Sequence, residues 1–179
     1  HFRAIAEQVD LPIYLYNVPG RTVADLATET TLRLAQVPGI VGIKDATADL
    51  GRGSELLKGL AAAGKRDFSV LSGEDITALP LMFMGGHGVI SVTANVAPAL
   101  MARLVDSFVA GDLAAARAAH YRLLPLAEAM FIETNPIPVK TALGLMGKID
   151  PEFRLPLCPM GDKNRERLAA ALRAAGLVG

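Results

Sequence analysis

Tryptophan is absent from this 179-residue chain, cysteine occurs once, and neither sign of charge outweighs the other. The lone Cys158 excludes a disulfide scaffold and a multi-cysteine metal site, and it suits a reducing, cytoplasmic setting. Eighteen Lys and Arg balance eighteen Asp and Glu. Without a basic surplus to neutralise phosphates, the composition gives little support to nucleic-acid binding. The apolar runs fall far short of the ~20 residues a membrane-spanning helix needs. No basic-then-apolar signal segment opens the chain, so no membrane partner is expected. Hydrophobic residues make up 51% and charged residues 20%, which excludes a disordered chain. The length suits one domain with a real core.

Short apolar runs alternate with helical patterns through the first half. Phe2, Ile5, Ala6 and Val9 share one helical face. Ile13 to Tyr16 reads as a buried strand, closed by the turn residues Asn17-Val-Pro-Gly20. A helical pattern over 25–36 stops at Pro38–Gly39, and the strand-like Ile40-Val-Gly-Ile43 follows, with Lys44 at its end. Further helices are predicted over 49–63 and 75–84, with strands at Phe68–Leu71 and Val89–Val92. Twenty-eight residues separate Tyr16 from Lys44 and Lys44 from Ser72, and Ile90 comes 18 later. This cadence indicates βα units and a parallel sheet, an α/β fold whose reactive residues fall just after strand C-termini. Beyond Pro98 the chain turns Ala-rich and helical, over 98–110, 112–133, 138–147 and 162–175. Asp112 is expected at a helix start, Pro125 is expected to kink its helix, and Gly176 to end the last one.

Lys44 is the leading candidate for chemistry. A lysine at the mouth of a buried strand can lose its proton through desolvation and condense with a carbonyl to give an imine. The plain alternative is a lysine that reaches solvent or pairs with Asp45. Tyr16 ends the neighbouring strand, where its phenol could relay protons; otherwise it is an ordinary strand aromatic like Tyr14. Arg21 and Thr22 follow the Asn-Val-Pro-Gly turn, where an arginine fork suits a substrate carboxylate, unless Arg21 pairs with Asp25 or Glu29. Gly85-Gly-His-Gly88 precedes a strand, whereas a phosphate cradle precedes a helix, so its glycines read as a tight turn. His87 has no ligand-spaced partner, since His1 and His120 are remote. Asp75 is expected to cap the following helix rather than to form an acid pair with Glu74. Cys158 has no evident base beside it. No metal site is expected.

Tyr16-Asn-Val-Pro-Gly-Arg-Thr22, Gly42-Ile-Lys-Asp-Ala46, Leu71-Ser-Gly-Glu-Asp75, Gly85-Gly-His-Gly-Val-Ile-Ser-Val-Thr-Ala-Asn95 and Asn135-Pro-Ile-Pro-Val-Lys140 occur in this order. Together, across the whole chain, they resemble the dihydrodipicolinate synthase (4-hydroxy-tetrahydrodipicolinate synthase) family, in the N-acetylneuraminate lyase superfamily of pyruvate-dependent Schiff-base aldolases. The resemblance implies that Lys44 forms the imine with pyruvate and that Tyr16 relays protons. It implies that Arg21, beside Thr22, binds the carboxylate of L-aspartate 4-semialdehyde, and that Gly73 and Ile90 line the pyruvate pocket. It further implies 4-hydroxy-tetrahydrodipicolinate as product, on the way to diaminopimelate and lysine. No cofactor is implied beyond the covalent pyruvate, and the assembly implied is a homotetramer, a dimer of dimers. A TIM (β/α)₈ barrel needs eight strands, and four are evident. The expectation is therefore its C-terminal half over residues 1–97, strands five to eight, followed over 98–179 by the remaining barrel helix and a C-terminal helical domain. The start at His1, within a helical pattern, fits a truncated chain. Another Schiff-base aldolase, such as an N-acetylneuraminate lyase or a 2-keto-3-deoxy-sugar-acid aldolase, and a non-catalytic half-barrel remain open as alternatives.

Overall fold

The structure, a computed structural model, describes residues 1–179, which divide into two units, His1–Ile90 and Ser91–Gly179. The first is a four-stranded parallel sheet with helices. Its strands β1 (Ile13–Asn17), β2 (Ile40–Asp45), β3 (Ser69–Ser72) and β4 (Gly88–Val89) lie side by side in chain order. Helices α1 (Phe2–Ala6), α2 (Pro19–Thr22), α3 (Thr28–Leu34), α4 (Leu50–Ala62) and α5 (Ala78–Phe83) alternate with them.

Strand alternation assigns the two faces of the sheet. Leu15, Ile43 and Val70 are buried, and they join Leu56 and Leu60 of α4 and Leu81 of α5 in one apolar core. Each such side chain contributes about 1.5–3 kcal/mol relative to an exposed one. Tyr14 and Tyr16 point to the other face and remain 46% and 52% exposed. Gly42 pairs with Tyr14 in the β1–β2 register, and a Cβ there would run into the Tyr14 ring, so the glycine makes room for it.

Four expectations are corrected by the local structure. The helix expected over 25–36 begins only at Thr28, because Asp25 and Leu26 are bonded to Asn17 instead. Asp75 does not cap α5: Thr77 is the N-cap residue, and Asp75 is buried. The strand expected over 89–92 stops at Val89. Ile90 still donates its N–H to Ser72 O at 2.8 Å, but Ser91 Oγ accepts from Ala94 N at 2.8 Å and turns the chain into a short 3₁₀ helix, Thr93–Asn95. Serine side chains that bond to nearby backbone compete with extended structure in this way. The Asn17–Gly20 segment is also not a bare turn, since Asn17 completes β1 and Pro19 starts the helical turn α2, where its missing N–H costs nothing.

The second unit contains α6 (Pro98–Val109), α7 (Leu113–Ala129), α8 (Ile137–Leu145) and α9 (Asp162–Ala174). It begins at Ser91, before the expected boundary at 97/98, because the 3₁₀ helix packs on α6, α7 and α8 and Val96 and Ala97 belong to this unit's core. Leu126, Met130, Ala142, Leu168 and Leu172 fill that core. Asp112 caps α7 as expected, accepting from Ala115 N at 2.9 Å. The same helix continues through Pro125 and ends at Ala129, short of the expected 133. Glu133 Oε1 accepts from Gly161 N at 3.1 Å and Asn164 Nδ2 at 2.9 Å, so it supplies acceptors at the start of α9, where Gly161 has no side chain to do so. Gly176, at φ +72°, follows α9 in the left-handed conformation that ends helices. No helix is long and apolar enough to cross a membrane.

Candidate active site

The C-terminal ends of β1, β2 and β3 bring together three of the residues singled out from the sequence. Tyr16 and Lys44 are direct partners in the parallel register, and alternation turns both to the exposed face of the sheet. Lys44 is half-buried, and its Nζ lies over the Tyr16 ring, 4.0 Å from the centroid. The negative ring face attracts the ammonium there. Lys44 does not pair with Asp45, whose side chain points to the opposite face and bonds Arg52. Gly73 follows β3, and its N–H donates to Asp45 O at 2.7 Å. A Cβ on Gly73 would stand 3.1 Å from Lys44 Cε, so this glycine forms a wall of the space around the lysine.

Ser72 shapes the turn that presents Gly73. Its Oγ donates to Glu74 O at 2.7 Å, and Glu74 N donates back to it at 3.1 Å. The Glu74 carboxyl next to this turn is pushed above its usual range, chiefly by burial, with the Asp75 charge adding to the rise and the Ile76 and Asp75 amides opposing it. Ile90 stands at the end of the fourth strand, its side chain partly exposed and its amide on Ser72 O.

Arg21 and Thr22 lie in α2, on the loop that leaves β1. Thr22 Oγ1 is within bonding distance of two loop carbonyls, Val18 O at 3.2 Å and Ala24 O at 2.9 Å, so its hydroxyl proton serves the loop. Arg21 is exposed and takes no part in the two ion pairs, both of which belong to Arg52. Asp25, one of the two partners that the plainer alternative offered Arg21, bonds Arg52 and Asn17 instead.

That arrangement was not evident in the sequence. Arg52, in the first turn of α4, donates through Nε to Asp45 Oδ2 at 3.1 Å and through Nη1 to Asp25 Oδ2 at 3.2 Å, and through Nη2 to Leu26 O. Asn17 Nδ2 donates to Asp25 Oδ1 at 2.8 Å, and Leu26 N donates to Asn17 Oδ1 at 3.0 Å. The available signal was positional: Asn17 and Asp45 directly follow Tyr16 and Lys44, and alternation must turn them inward, where a polar side chain needs partners.

The Gly85–Gly88 segment is the helix-to-strand turn expected of it. Gly85 has φ +107°, a Cβ on Gly86 would stand 2.8 Å from Leu81 Cγ, and His87 Nδ1 accepts from Val70 N at 3.1 Å. No group of three or more His, Cys, Asp or Glu side chains is placed to hold a metal ion, and Cys158 is exposed. The chemistry on offer is that of an amine beside a phenol, over a glycine-walled space at the ends of parallel strands.

Comparison with known proteins agrees in both sequence and shape. Residues 1–175 match the dihydrodipicolinate synthetase family. The chain is 58% identical over 178 residues to the 4-hydroxy-tetrahydrodipicolinate synthase of Polynucleobacter asymbioticus, covering 99% of this chain and 58% of that protein. It is 57% identical over 177 residues to the synthase of Nitrosospira multiformis, with coverage of 99% and 58%. Among solved structures, dihydrodipicolinate synthase from Thermotoga maritima superposes with a TM-score of 0.95 at 44% identity, covering 99% of this chain and 60% of that one. The chloride-inhibited Acinetobacter baumannii enzyme, complexed with pyruvate, gives a TM-score of 0.93 at 49% identity, again covering 99% and 60%. The chain thus spans about three-fifths of the length of these relatives.

Proposed function

The chain belongs to the dihydrodipicolinate synthetase family, and from that membership we propose that it carries the imine-forming half of a 4-hydroxy-tetrahydrodipicolinate synthase. In this reading the parallel sheet is the C-terminal half of a (β/α)₈ barrel, the exposed face bearing Tyr14, Tyr16 and Lys44 is turned to the barrel interior, and Ser91–Gly179 holds the remaining barrel helix and the helical domain that follows. Strand C-termini are where such barrels build their sites.

The Lys44 amine attacks the C2 carbonyl of pyruvate and water leaves, giving the imine. Loss of a C3 proton gives the enamine, whose C3 attacks the aldehyde carbon of L-aspartate 4-semialdehyde while the aldehyde oxygen takes up a proton. The substrate's amino group then attacks the imine carbon, closing the ring and returning Lys44 as the free amine. The Tyr16 phenol is the group beside Lys44 that can carry protons through these steps. Gly73 and Ile90 line the pyruvate side, while Arg21, with Thr22 bracing its loop, holds the aldehyde's carboxylate. No cofactor is needed, because the imine itself is the electron sink. The working setting is the cytoplasm, and the assembly a homo-oligomer, a dimer of dimers.

The observation that carries this reading is the Lys44 amine resting on the Tyr16 ring at adjacent strand ends. Borohydride reduction in the presence of pyruvate is expected to add one reduced pyruvate at Lys44, located by peptide mass, and Lys44→Arg is expected to abolish it. An unmodified Lys44 would refute every imine-forming reading and leave the non-catalytic half-barrel. Equal or better turnover with N-acetylmannosamine or glyceraldehyde than with aspartate semialdehyde would move the assignment to another aldolase of the superfamily.

A further inference from the structure

Each reactive side chain is followed by a polar residue turned into the opposite face. Asn17 follows Tyr16, Asp45 follows Lys44, and both are buried. We propose that Arg52 is a positioning residue: its guanidinium locks the loop that bears Arg21 to the strand that bears Lys44, and so sets where the second substrate's carboxylate is held relative to the imine. The inference rests on the reaction proposed above and adds to it a residue that touches neither substrate.

Three nitrogens of one planar fork take three different partners. Nε takes Asp45 at the end of β2, Nη1 takes Asp25, and Nη2 takes the Leu26 carbonyl at the far end of the loop. A lysine cannot reproduce this, because it offers a point charge without the fork. Arg52 is itself held, since its backbone N–H donates to the Asp49 cap at 3.0 Å. The Arg52 and Asp45 side chains are only 11% and 8% exposed, so this ion pair is shielded and geometrically demanding, whereas Asp25 is 52% exposed.

The loop depends on that anchor. Asn17 closes its base, through Asp25 Oδ1 and the Leu26 amide. Inside it, Thr22 braces the carbonyls of Val18 and Ala24, and Val23 is held at φ +56°, a left-handed conformation unfavourable for a β-branched residue. Such a backbone persists where its surroundings over-determine it. Arg21 lies between the closed base and the strained residue and makes neither of the ion pairs, so the loop alone sets its position.

The test is a double-mutant cycle in the intact protein. Arg52→Lys and Asp25→Asn are chosen because both keep a polar group at the site, and Asp25 lies at the surface. Each is expected to raise the KM for aspartate semialdehyde by about tenfold, while borohydride trapping of pyruvate at Lys44 stays within about twofold of wild type. In an Arg21→Ala background the same substitutions are expected to change that KM by less than about twofold, because the group being positioned is gone. Full multiplicative effects in that background, an unchanged KM, or parallel loss of trapping would overturn the proposal. Amide exchange over residues 18–26 reads the clamp without substrate: faster exchange in Asp25→Asn with α4 unchanged is expected, and unchanged exchange overturns it. Failure of the wild type to trap pyruvate would instead refute the reaction.

Discussion

A methyl group added at Gly73 would lie 2.7 Å from the Ala46 Cβ and 3.1 Å from Lys44 Cε. The first contact meets a short side chain with nowhere to move, so the strand ends must separate or the lysine must shift. Overpacking of this kind costs about 1–3 kcal/mol. Gly73→Ala is therefore expected to lower the unfolding free energy by about that amount in urea titrations and to slow pyruvate trapping at Lys44 by about tenfold or more. A variant that traps at the wild-type rate would show that the glycine merely fits its turn. At this scale the pair at the centre of the candidate site was legible, because strand alternation and the end of an apolar run suffice to single out Tyr16 and Lys44, whereas Gly73 came only with the family resemblance. Arg52 was not, because its partners Asp45, Asp25 and Leu26 lie 7 to 27 residues away and only folding brings them within reach.

The elements depend on local devices that also serve the site. Asp49 starts α4 by accepting the Arg52 N–H, and Asp49 N donates to Thr47 Oγ1 at 3.2 Å. The first turn of α4 is thus capped at the residue that carries the clamp. Asp49→Ala is expected to cost about 1 kcal/mol, the usual cost of losing an N-cap, measured by chemical denaturation. Apolar spacing and Gly–Pro punctuation marked where helices and strands occur, and Leu50–Ala62, flanked by its caps Asp49 and Ala63, follows the expected 49–63 closely. Three of the misplaced boundaries share one cause. Asp25, Asp75 and Ser91 are residues whose short polar side chains can start a helix, stay buried or bend the backbone, and composition does not say which.

For the molecule as a whole, two separate apolar cores support two units, and β1 and β4 stand at the edges of the sheet. Two titrating groups link stability to pH in opposite directions. Burial raises Glu74 above the ordinary carboxylate range, so its ionisation opposes folding, and stability is lost as pH rises through that raised value. Glu74→Gln is expected to raise the urea midpoint at neutral pH, with the gain vanishing at pH values below ordinary carboxylate titration. An equal gain at both pH values would assign the effect to packing rather than to charge. Burial lowers His120, so the unfolded chain binds the proton first, and stability present above the usual histidine range is lost as pH falls through the lowered value.

By itself the sequence determined the α/β class, the order of strands and helices, the family, and the adjacency of Tyr16 and Lys44. Those follow from short-range periodicity and from motif order, which survive without coordinates. Only the tertiary structure decided that Asp25 serves Arg52 rather than Arg21, that Asp45 turns away from Lys44, and that the second unit starts at Ser91. The physical reason is competition. Each of these polar groups has several partners within plausible reach along the chain, and burial selects the set that satisfies the most hydrogen bonds at once.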